Sequence, residues 1–288
     1  MNWTFYKPKF VFEKYLKNKD SAWFGHFFFA YDLVRNKKPK TIVELGTHRG
    51  HSFFAFSQGT KDAHLRTKLF AIDSWEGDSQ AGYYEENIFK IVNKIKNELY
   101  AEIDIQLLRG YFQDYLTRFQ DNTIDILHID GLHTYQAVKK DFEDWLPKLS
   151  KDGIVLLHDV TEKKKGFGVY KFFDELETKY KTIKFTHSHG LGVVFFQNNR
   201  LYSELKENEE VMREMYNLKY SVSNLEDQLK ESNELREEYT KNLNKMLLEK
   251  EAEIKKINFE VTSIKASKIW KLRIMLLPII NFFKKGNN

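Results

Sequence analysis

Cysteine is absent from the 288 residues, so disulfide bonds and thiolate metal sites are excluded. The opening stretch, MNWTFYKPKFVFEKY, has no uninterrupted apolar run of the kind a secretory signal needs, and the chain is expected to stay in the cytoplasm. The glycine pattern G-x-G-x-x-G is missing from the first strand-to-helix turn, which disfavours a nicotinamide enzyme. A basic body is missing too. Formal net charge is +5, but residues 261–288 carry six bases and no acid, while residues 204–260 carry 15 acids against 10 bases. Residues 1–203 are left near +4, too little for a polyanion binder, and no nucleic-acid partner is expected. Set against these absences, 42% hydrophobic and 15% aromatic residues supply one sizeable core plus an appendage.

The chain is organised around Thr41 to Ser52, TIVELGTHRGHS. Ile42, Val43 and Leu45 read as a short buried strand. Gly46 lets the backbone turn sharply and approach a ligand where a Cβ would clash, and Ser52 is placed to cap the helix that follows. Upstream, Trp23, Phe24, Phe27, Phe28, Phe29, Tyr31 and Val34 fall at helical spacing within residues 9–36, predicting an N-terminal helical cover over residues 1–40 that Pro39 closes. Downstream, strands at 69–72, 103–108, 124–129 and 154–157 alternate with helices at 84–100, 112–119, 134–146 and 166–180. Strands at 183–185 and 193–196, joined across His187 to Gly192, close the domain as a hairpin. The alternation predicts an α/β fold, a doubly wound parallel sheet with a C-terminal antiparallel hairpin, over residues 41–200. Binding then belongs at the carboxyl ends of the strands.

Asp73, Asp130 and Asp159 all stand at such strand ends. Asp73 is positioned to accept the hydroxyls of a ribose bound over the first turn, or else to form the turn itself. Asp130 begins the cluster DGLHTY, with Gly131 permitting a tight turn and His133 directed to the same cleft; His158 and Asp159 close the neighbouring strand. Carboxylates and imidazoles converging in this way suit a divalent cation such as Mg or Mn. His128 lies within a strand and reads as core, whereas His187 and His189 read as surface residues of the hairpin turn.

VELGTHRGHS, AIDSWEGD, DILHIDGLHTYQAVKKDFEDW and GIVLLHDV together resemble the class I S-adenosylmethionine-dependent methyltransferases. The nearest likeness is to the family-24 group, whose relatives include macrocin-type sugar O-methyltransferases and cephalosporin-hydroxylase-like proteins. The likeness covers roughly residues 20 to 197 and implies a Rossmann-like sheet. It implies that Glu44, Gly46, Thr47 and Gly50 line the cofactor's methionine end and that Asp73 holds its ribose, with Ser52 and Ser74 also in the cofactor site. It further implies a metal on Asp130 and Asp159, with His158 where the metal-dependent sugar enzymes tend to carry an acid, and His133 with Asp130 in the catalytic role. A sugar hydroxyl does not ionise unaided near neutral pH, and an imidazole has the intrinsic pKa of a general base. The expected activity is O-methylation of a sugar hydroxyl on a cell-surface polysaccharide or lipid-linked glycan. The alternatives are a small-molecule tailoring enzyme, a macrolide-sugar methyltransferase or hydroxylase-like, and a non-catalytic oligomeric membrane scaffold.

From Leu205 the composition turns to Glu, Lys and Asn, with no Gly or Pro before Gly286 except Pro278. Val211, Met215, Leu218, Val222, Leu225 and Leu229 step alternately by four and three, a heptad seam that predicts an α-helical coiled coil over residues 204–264 and a homo-oligomer. The segment Ile269 to Phe283 is apolar, flanked by Lys and interrupted by Lys271 and Arg273, and falls short of the ~20 apolar residues a bilayer span requires. Residues 265–288 are therefore expected to form a basic amphipathic helix at a membrane interface, with Trp270 at headgroup depth, holding the protein at the inner face of the cell membrane or against a membrane-bound glycan-assembly partner.

Overall fold

The structure, a computed structural model, describes residues 3–17, 21–78, 82–83, 86–197 and 199–285, and of residues 282–285 the backbone alone. The chain first lays down 3-10 turns at Val11–Lys14 and Phe24–His26, then α1 (Phe27–Lys37). The aromatic spacing within residues 9–36 was expected to make a helical cover over residues 1–40. Instead the described part before Phe27 is largely irregular apart from its 3-10 turns, and its rings fill the space over α1: Phe10 packs edge-on against Phe27 and Phe28, and Phe12 against Phe27. Helix α1 stops at Lys38, whose left-handed backbone (φ 53°) sends its N–H back to Val34 O just before Pro39.

The sheet strands follow as β1 (Thr41–Leu45), β2 (Lys68–Asp73), β5 (Asp104–Arg109), β6 (Ile124–Ile129), β7 (Leu149–His158), β8 (Lys181–Phe185) and β9 (Leu191–Phe195). A two-residue ladder of β3 (Gly77–Asp78) and β4 (Gly82–Tyr83) lies outside that sheet. The intervening helices are α2 (His51–Asp62), α3 (Asn87–Leu99), α4 (Tyr135–Trp145) and α5 (Val169–Glu177). The helix expected from Tyr84 begins at Asn87, and Tyr84 itself lies outside the described residues. The expected helix at 112–119 is a 3-10 segment, Phe112–Arg118, and the expected strand at 154–157 extends over all of β7.

Sheet order is β5-β2-β1-β6-β7-β9-β8, parallel from β5 to β7, with β9 antiparallel to both β7 and β8. Val43 of β1 stands opposite Phe70 of β2 on one side and Leu127 of β6 on the other. The chain leaves β1 toward β2 and β5, then returns to pair β6 on the opposite side, so the topological switch falls between β1 and β6 and opens a cleft at their carboxyl ends. Helices cover both faces. Ile42, Leu69 and Ile126 pack with α1 and α2 in one apolar cluster, while Val43, Leu127 and Val155 pack with α4 and α5 in another. Both faces of β1 are thus buried, as a central parallel strand requires. Its one charged residue, Glu44, is buried completely.

The chain divides into two compact units, residues 1–225 and 226–288. The first includes α6 (Arg200–Glu207) and the start of α7 (Glu209–Ala266), so the boundary lies later than the expected coil start at 204. Tyr216 Oη donates to Asp32 Oδ2 (2.8 Å), accepts from Trp3 Nε1 (3.0 Å) and is wholly buried with Asp32. Met212 is buried beside it, and Lys219 Nζ reaches Tyr6 O at 3.1 Å. The seam residues Val211, Leu218 and Val222 remain 57%, 60% and 46% exposed, so one face of the helix serves the body and the neighbouring face is left bare. The second unit holds the remainder of α7 and α8 (Lys268–Lys285), which contains Pro278. Among the described residues no helix is long and apolar enough to cross a membrane.

Candidate functional site

At the carboxyl end of β1, Gly46 and Gly50 take φ of +87° and +85°, and His48 takes +48°. A Cβ on Gly46 would stand 2.1 Å from Asp130 O, so its lack of a side chain serves the close approach of the β6 loop. Gly50 N–H closes the turn on Thr47 O (2.7 Å), and Gly50 occupies the position before α2. Ser52, expected there as the cap, lies inside the first turn, and no side chain caps the helix. His51 and Ser52 at that terminus line the cleft. The turn is clamped by Asp73, whose Oδ2 accepts from Thr47 N (2.8 Å) and His48 N (2.7 Å) and whose Oδ1 accepts from Trp75 N (2.7 Å). The Trp75 indole returns to His48 O at 2.8 Å. A carboxylate has about four acceptor positions, so Asp73 retains roughly one for a ribose hydroxyl. Of the two alternatives read from its sequence position, the structure shows the turn-forming one.

Across the switch point, Asp130, His133, His158 and Asp159 converge. Asp130 continues β6, Asp159 follows β7 with a left-handed backbone (φ 62°), and His133 precedes the Thr134 cap of α4, which accepts from Ala137 N. His133 Nε2 lies 3.0 Å from Asp159 Oδ2 and 3.6 Å from Asp130 Oδ1, and its ring stacks on Phe167 at 4.8 Å. His158 Nδ1 lies 3.5 Å from both Asp130 Oδ1 and Asp159 Oδ2, while its Nε2 faces Ser188 O at 3.2 Å. Carboxylate and carbonyl oxygens accept only, so both nitrogens of His158 need protons. Burial opposes charge on either ring, but the two carboxylates outweigh it and raise His133 and His158 to about 10. The imidazoles in turn hold Asp159 down at about 2, and Asp130 below the usual carboxylate range, against the opposing effect of burial. Two positive rings thus balance two negative carboxylates. His133, expected as a base, is a proton donor in this arrangement.

Glu44 does not line the cleft. Its Oε2 accepts from His128 Nδ1 (2.8 Å), and His128 Nε2 accepts from the Trp23 indole N–H (3.1 Å), which fixes the His128 tautomer with its proton on Nδ1. Burial pushes the Glu44 carboxyl up, while the His128 hydrogen bond pulls the other way. His128 is core, as expected, but it ties the N-terminal segment to the central strand. His187 and His189, expected on the surface, are half-buried; His187 Nε2 meets Gly25 O at 3.0 Å and His189 Nδ1 meets Glu162 Oε1 at 2.7 Å.

Turn and cluster open into one cleft of about 690 Å³, a size suited to a nucleoside-containing cofactor. Gly46, Thr47, Ser52, Asp73 and Ser74 line it, as do Asp130, His133, His158 and Asp159, whereas Gly50 and Glu44 stand behind. Thr47 Oγ1 is buried beside the Glu44 carboxyl without a well-formed hydrogen bond. The residues fit S-adenosylmethionine. They also fit a divalent cation: Asp130, His133 and Asp159 offer ligand atoms all within 4.8 Å of one another, with His158 Nδ1 close by. Sequence reasoning missed Trp23, Gly110 to Gln113, Asp141 and Phe167 as lining residues. Gly110, directly after β5, was the one legible signal, since a glycine at a strand's carboxyl end marks the cleft edge.

Residues 43–160 match the family described as a methyltransferase domain. The chain is 43% identical over 176 residues to an uncharacterized protein of Sinorhizobium fredii, covering 61% of this chain and 19% of that one. It is 31% identical over 140 residues to an uncharacterized protein of Acanthamoeba polyphaga mimivirus, covering 46% and 58%. The chain thus spans about a fifth and rather more than half of the length of these curated relatives. Among solved structures, the SAH-bound methyltransferase PaMTH1 of Podospora anserina matches with a TM-score of 0.51 at 16% identity, over 67% of this chain and 89% of that one, which shows the shared fold. Residues 43–160 are thus similar to the family-24 methyltransferase domain.

Proposed function

We propose that the chain transfers the methyl group of S-adenosylmethionine to a hydroxyl oxygen of a glycan, of the cell-surface or lipid-linked kind. The observation that carries this reading is the placement of the Asp130, His133, His158 and Asp159 cluster in the same cleft as the Gly46 to Ser52 turn. Bound over that turn, S-adenosylmethionine supplies a methyl group already activated by the sulfonium, so the protein's task is alignment and proton removal. The carboxylates of Asp130 and Asp159 accept hydrogen bonds from acceptor hydroxyls and orient them. His133 takes the proton as the new C–O bond forms and the S–CH3 bond breaks, for which it must first be neutral. A divalent cation held by Asp130, Asp159 and His158 would meet the carboxylate charge, release the imidazole protons and acidify a bound hydroxyl. His133, stacked on Phe167, then remains as the base.

The test is transfer of labelled methyl to lipid-linked and soluble glycan acceptors, with and without chelator. His133→Ala should cut turnover about 10²- to 10⁴-fold while leaving cofactor affinity nearly intact. Full activity of that variant eliminates the base, and full activity in excess chelator eliminates the cation.

For the tail we infer self-association through the bare seam and attachment to an anionic membrane. Support comes from the division of labour on α7, where Met212 and Tyr216 face the body while Val211, Leu218 and Val222 do not, and from the six bases without an acid in residues 261–288.

A further inference from the structure

The turn joining β8 to β9 holds side chains in a backbone shape that disfavours them. Ser188 and His189 both take left-handed φ, 50° and 66°, ahead of Gly190 at 87°, and Gly190 N–H closes the turn on His187 O at 2.9 Å. Consecutive left-handed residues are the mark of primed hairpin turns, where Asn and Gly are usual and other side chains are strained. Both side chains are put to use here. Ser188 Oγ donates to Ala22 O and accepts from Gly25 N (3.2 Å), while His189 Nδ1 meets Glu162 Oε1 at 2.7 Å. His187 Nε2 donates to Gly25 O at 3.0 Å, and its ring stacks on Tyr220 of α7 at 5.9 Å. Held by these contacts, the turn presents the Ser188 carbonyl to two buried rings, and it accepts from His158 Nε2 (3.2 Å) and His26 Nε2 (3.1 Å). A carbonyl has two acceptor positions, and these imidazoles take both.

We infer that Ser188 is a positioning residue of the site: anchored by its hydroxyl, its carbonyl fixes the orientation and tautomer of His158, so that Nδ1 is the atom turned toward Asp130 and Asp159. The inference rests on the proposed cation at Asp130, Asp159 and His158, and it assigns what holds the imidazole ready for that cation. An imidazole that ligates through one nitrogen keeps its proton on the other, and an acceptor on that N–H sets the ring's direction and raises its basicity as a ligand. His158 meets this requirement before any ion binds: Nδ1 lies 3.5 Å from each carboxylate, and Nε2 is tied to the backbone on its far side. Among the described residues no second acceptor bonds that Nε2. A strained turn kept in place by its surroundings is therefore coupled to the cluster through one carbonyl oxygen. The strain is the reason the anchors matter, because a turn that loses them relaxes toward ordinary φ and carries the carbonyl away from the ring.

The test uses the full-length chain and two variants that disturb the turn from opposite sides. Ser188→Ala removes both hydroxyl anchors, and Gly25→Ala sets a Cβ 2.6 Å from Ser188 Cβ and 2.8 Å from His187 Cδ2, so that the turn must shift. Each is titrated with Mn²⁺ and, separately, with S-adenosylhomocysteine, and the His158 ring is followed by ¹⁵N NMR of the metal-free chain, its signals identified by their loss in His158→Gln. The wild type should show a slowly exchanging proton on His158 Nε2. Both variants should lose it and weaken Mn²⁺ about 10- to 100-fold, while S-adenosylhomocysteine affinity stays unchanged. Unchanged Mn²⁺ affinity and ring signals in both variants overturn the assignment, and so does an equal loss of Mn²⁺ and S-adenosylhomocysteine, which marks a purely structural role. Should both variants fail to fold, the wild-type ring decides: a proton absent from Nε2 or exchanging freely overturns the inference. A wild type that binds no Mn²⁺ rejects the cation of the proposed function, and the positioning of His158 then stands or falls on the Nε2 proton in wild type and Ser188→Ala.

Discussion

Asp73→Ala separates holding the turn from holding the cofactor. The carboxylate accepts three backbone N–H bonds at 2.7 to 2.8 Å, from Thr47, His48 and Trp75, and is 9% exposed. A hydrogen bond to a charged group contributes about 1.5–3 kcal/mol, so three set an upper bound of roughly 4.5–9 kcal/mol. Water entering from the cleft will solvate some of the freed N–H groups, and a loss of about 3–5 kcal/mol is expected. At about 2–4 °C per kcal/mol for a domain of this size, that lowers the melting temperature by about 6–20 °C. The contribution to ribose binding is one hydrogen bond, about tenfold in affinity. Thermal melts of the cofactor-free variant measure the first term, and titration well below its melting temperature measures the second. A variant that melts within about 2 °C of wild type yet loses cofactor affinity refutes the clamp and leaves Asp73 a ligand-binding residue alone.

Gly46→Ala places a Cβ 2.1 Å from Asp130 O at a φ of +87°, and soluble yield and melting temperature should fall sharply; near-wild-type stability would mean that the turn relaxes freely. Tyr216→Phe removes the bond to Asp32 and that from Trp3, with an expected cost of about 1–3 kcal/mol in denaturant melts, and an unchanged midpoint would contradict the docking of the start of α7. His133 and His158, raised from 6.5 to about 10, stabilise fully below pH 6.5 and lose this as pH rises toward 10; Asp159, lowered from 3.8 to about 2, stabilises above 3.8 and loses this as pH falls toward 2. Stability from the cluster should therefore plateau between about pH 4 and 6.5, and His133→Gln should flatten the alkaline decline in melts across pH. Truncation after Phe259 should release the protein from anionic liposomes, each lost base being worth about 1 kcal/mol near the surface, whereas truncation after Leu225, which keeps Met212 and Tyr216, should also abolish oligomers in sedimentation and preserve cofactor binding.

The alternation of strands and helices was legible because each buried strand of a parallel sheet is a compact apolar run between turns, and Ile124–Ile129 was read to the residue. The acids at the strand ends were legible for the same reason: placing the strand places its last residue over the cleft. Residues 9–26 were not, because aromatics at helical spacing pack over α1 equally well from an irregular chain with short 3-10 turns. The duties of Glu44 and Gly46 within the fold were not legible. Glu44 is held by His128, 84 residues away and itself bonded by Trp23, and Gly46 yields to a carbonyl 84 residues on, contacts that only the tertiary fold creates. The protonation of His133 was hidden likewise, since it depends on two carboxylates meeting in space. Asp141 looks in sequence like any polar position of a solvated helix, and its burial follows from the packing of α4 beside Phe112.

Calorimetric titration of the full-length chain with S-adenosylmethionine tests the central claim most directly, because the cleft joining the Gly46 to Ser52 turn with the acid–imidazole cluster is here assigned to that cofactor. The account predicts saturable binding of one molecule per chain, displaced by S-adenosylhomocysteine and weakened by Asp73→Asn. The absence of saturable binding by a folded wild-type chain, with or without divalent cation, would contradict it.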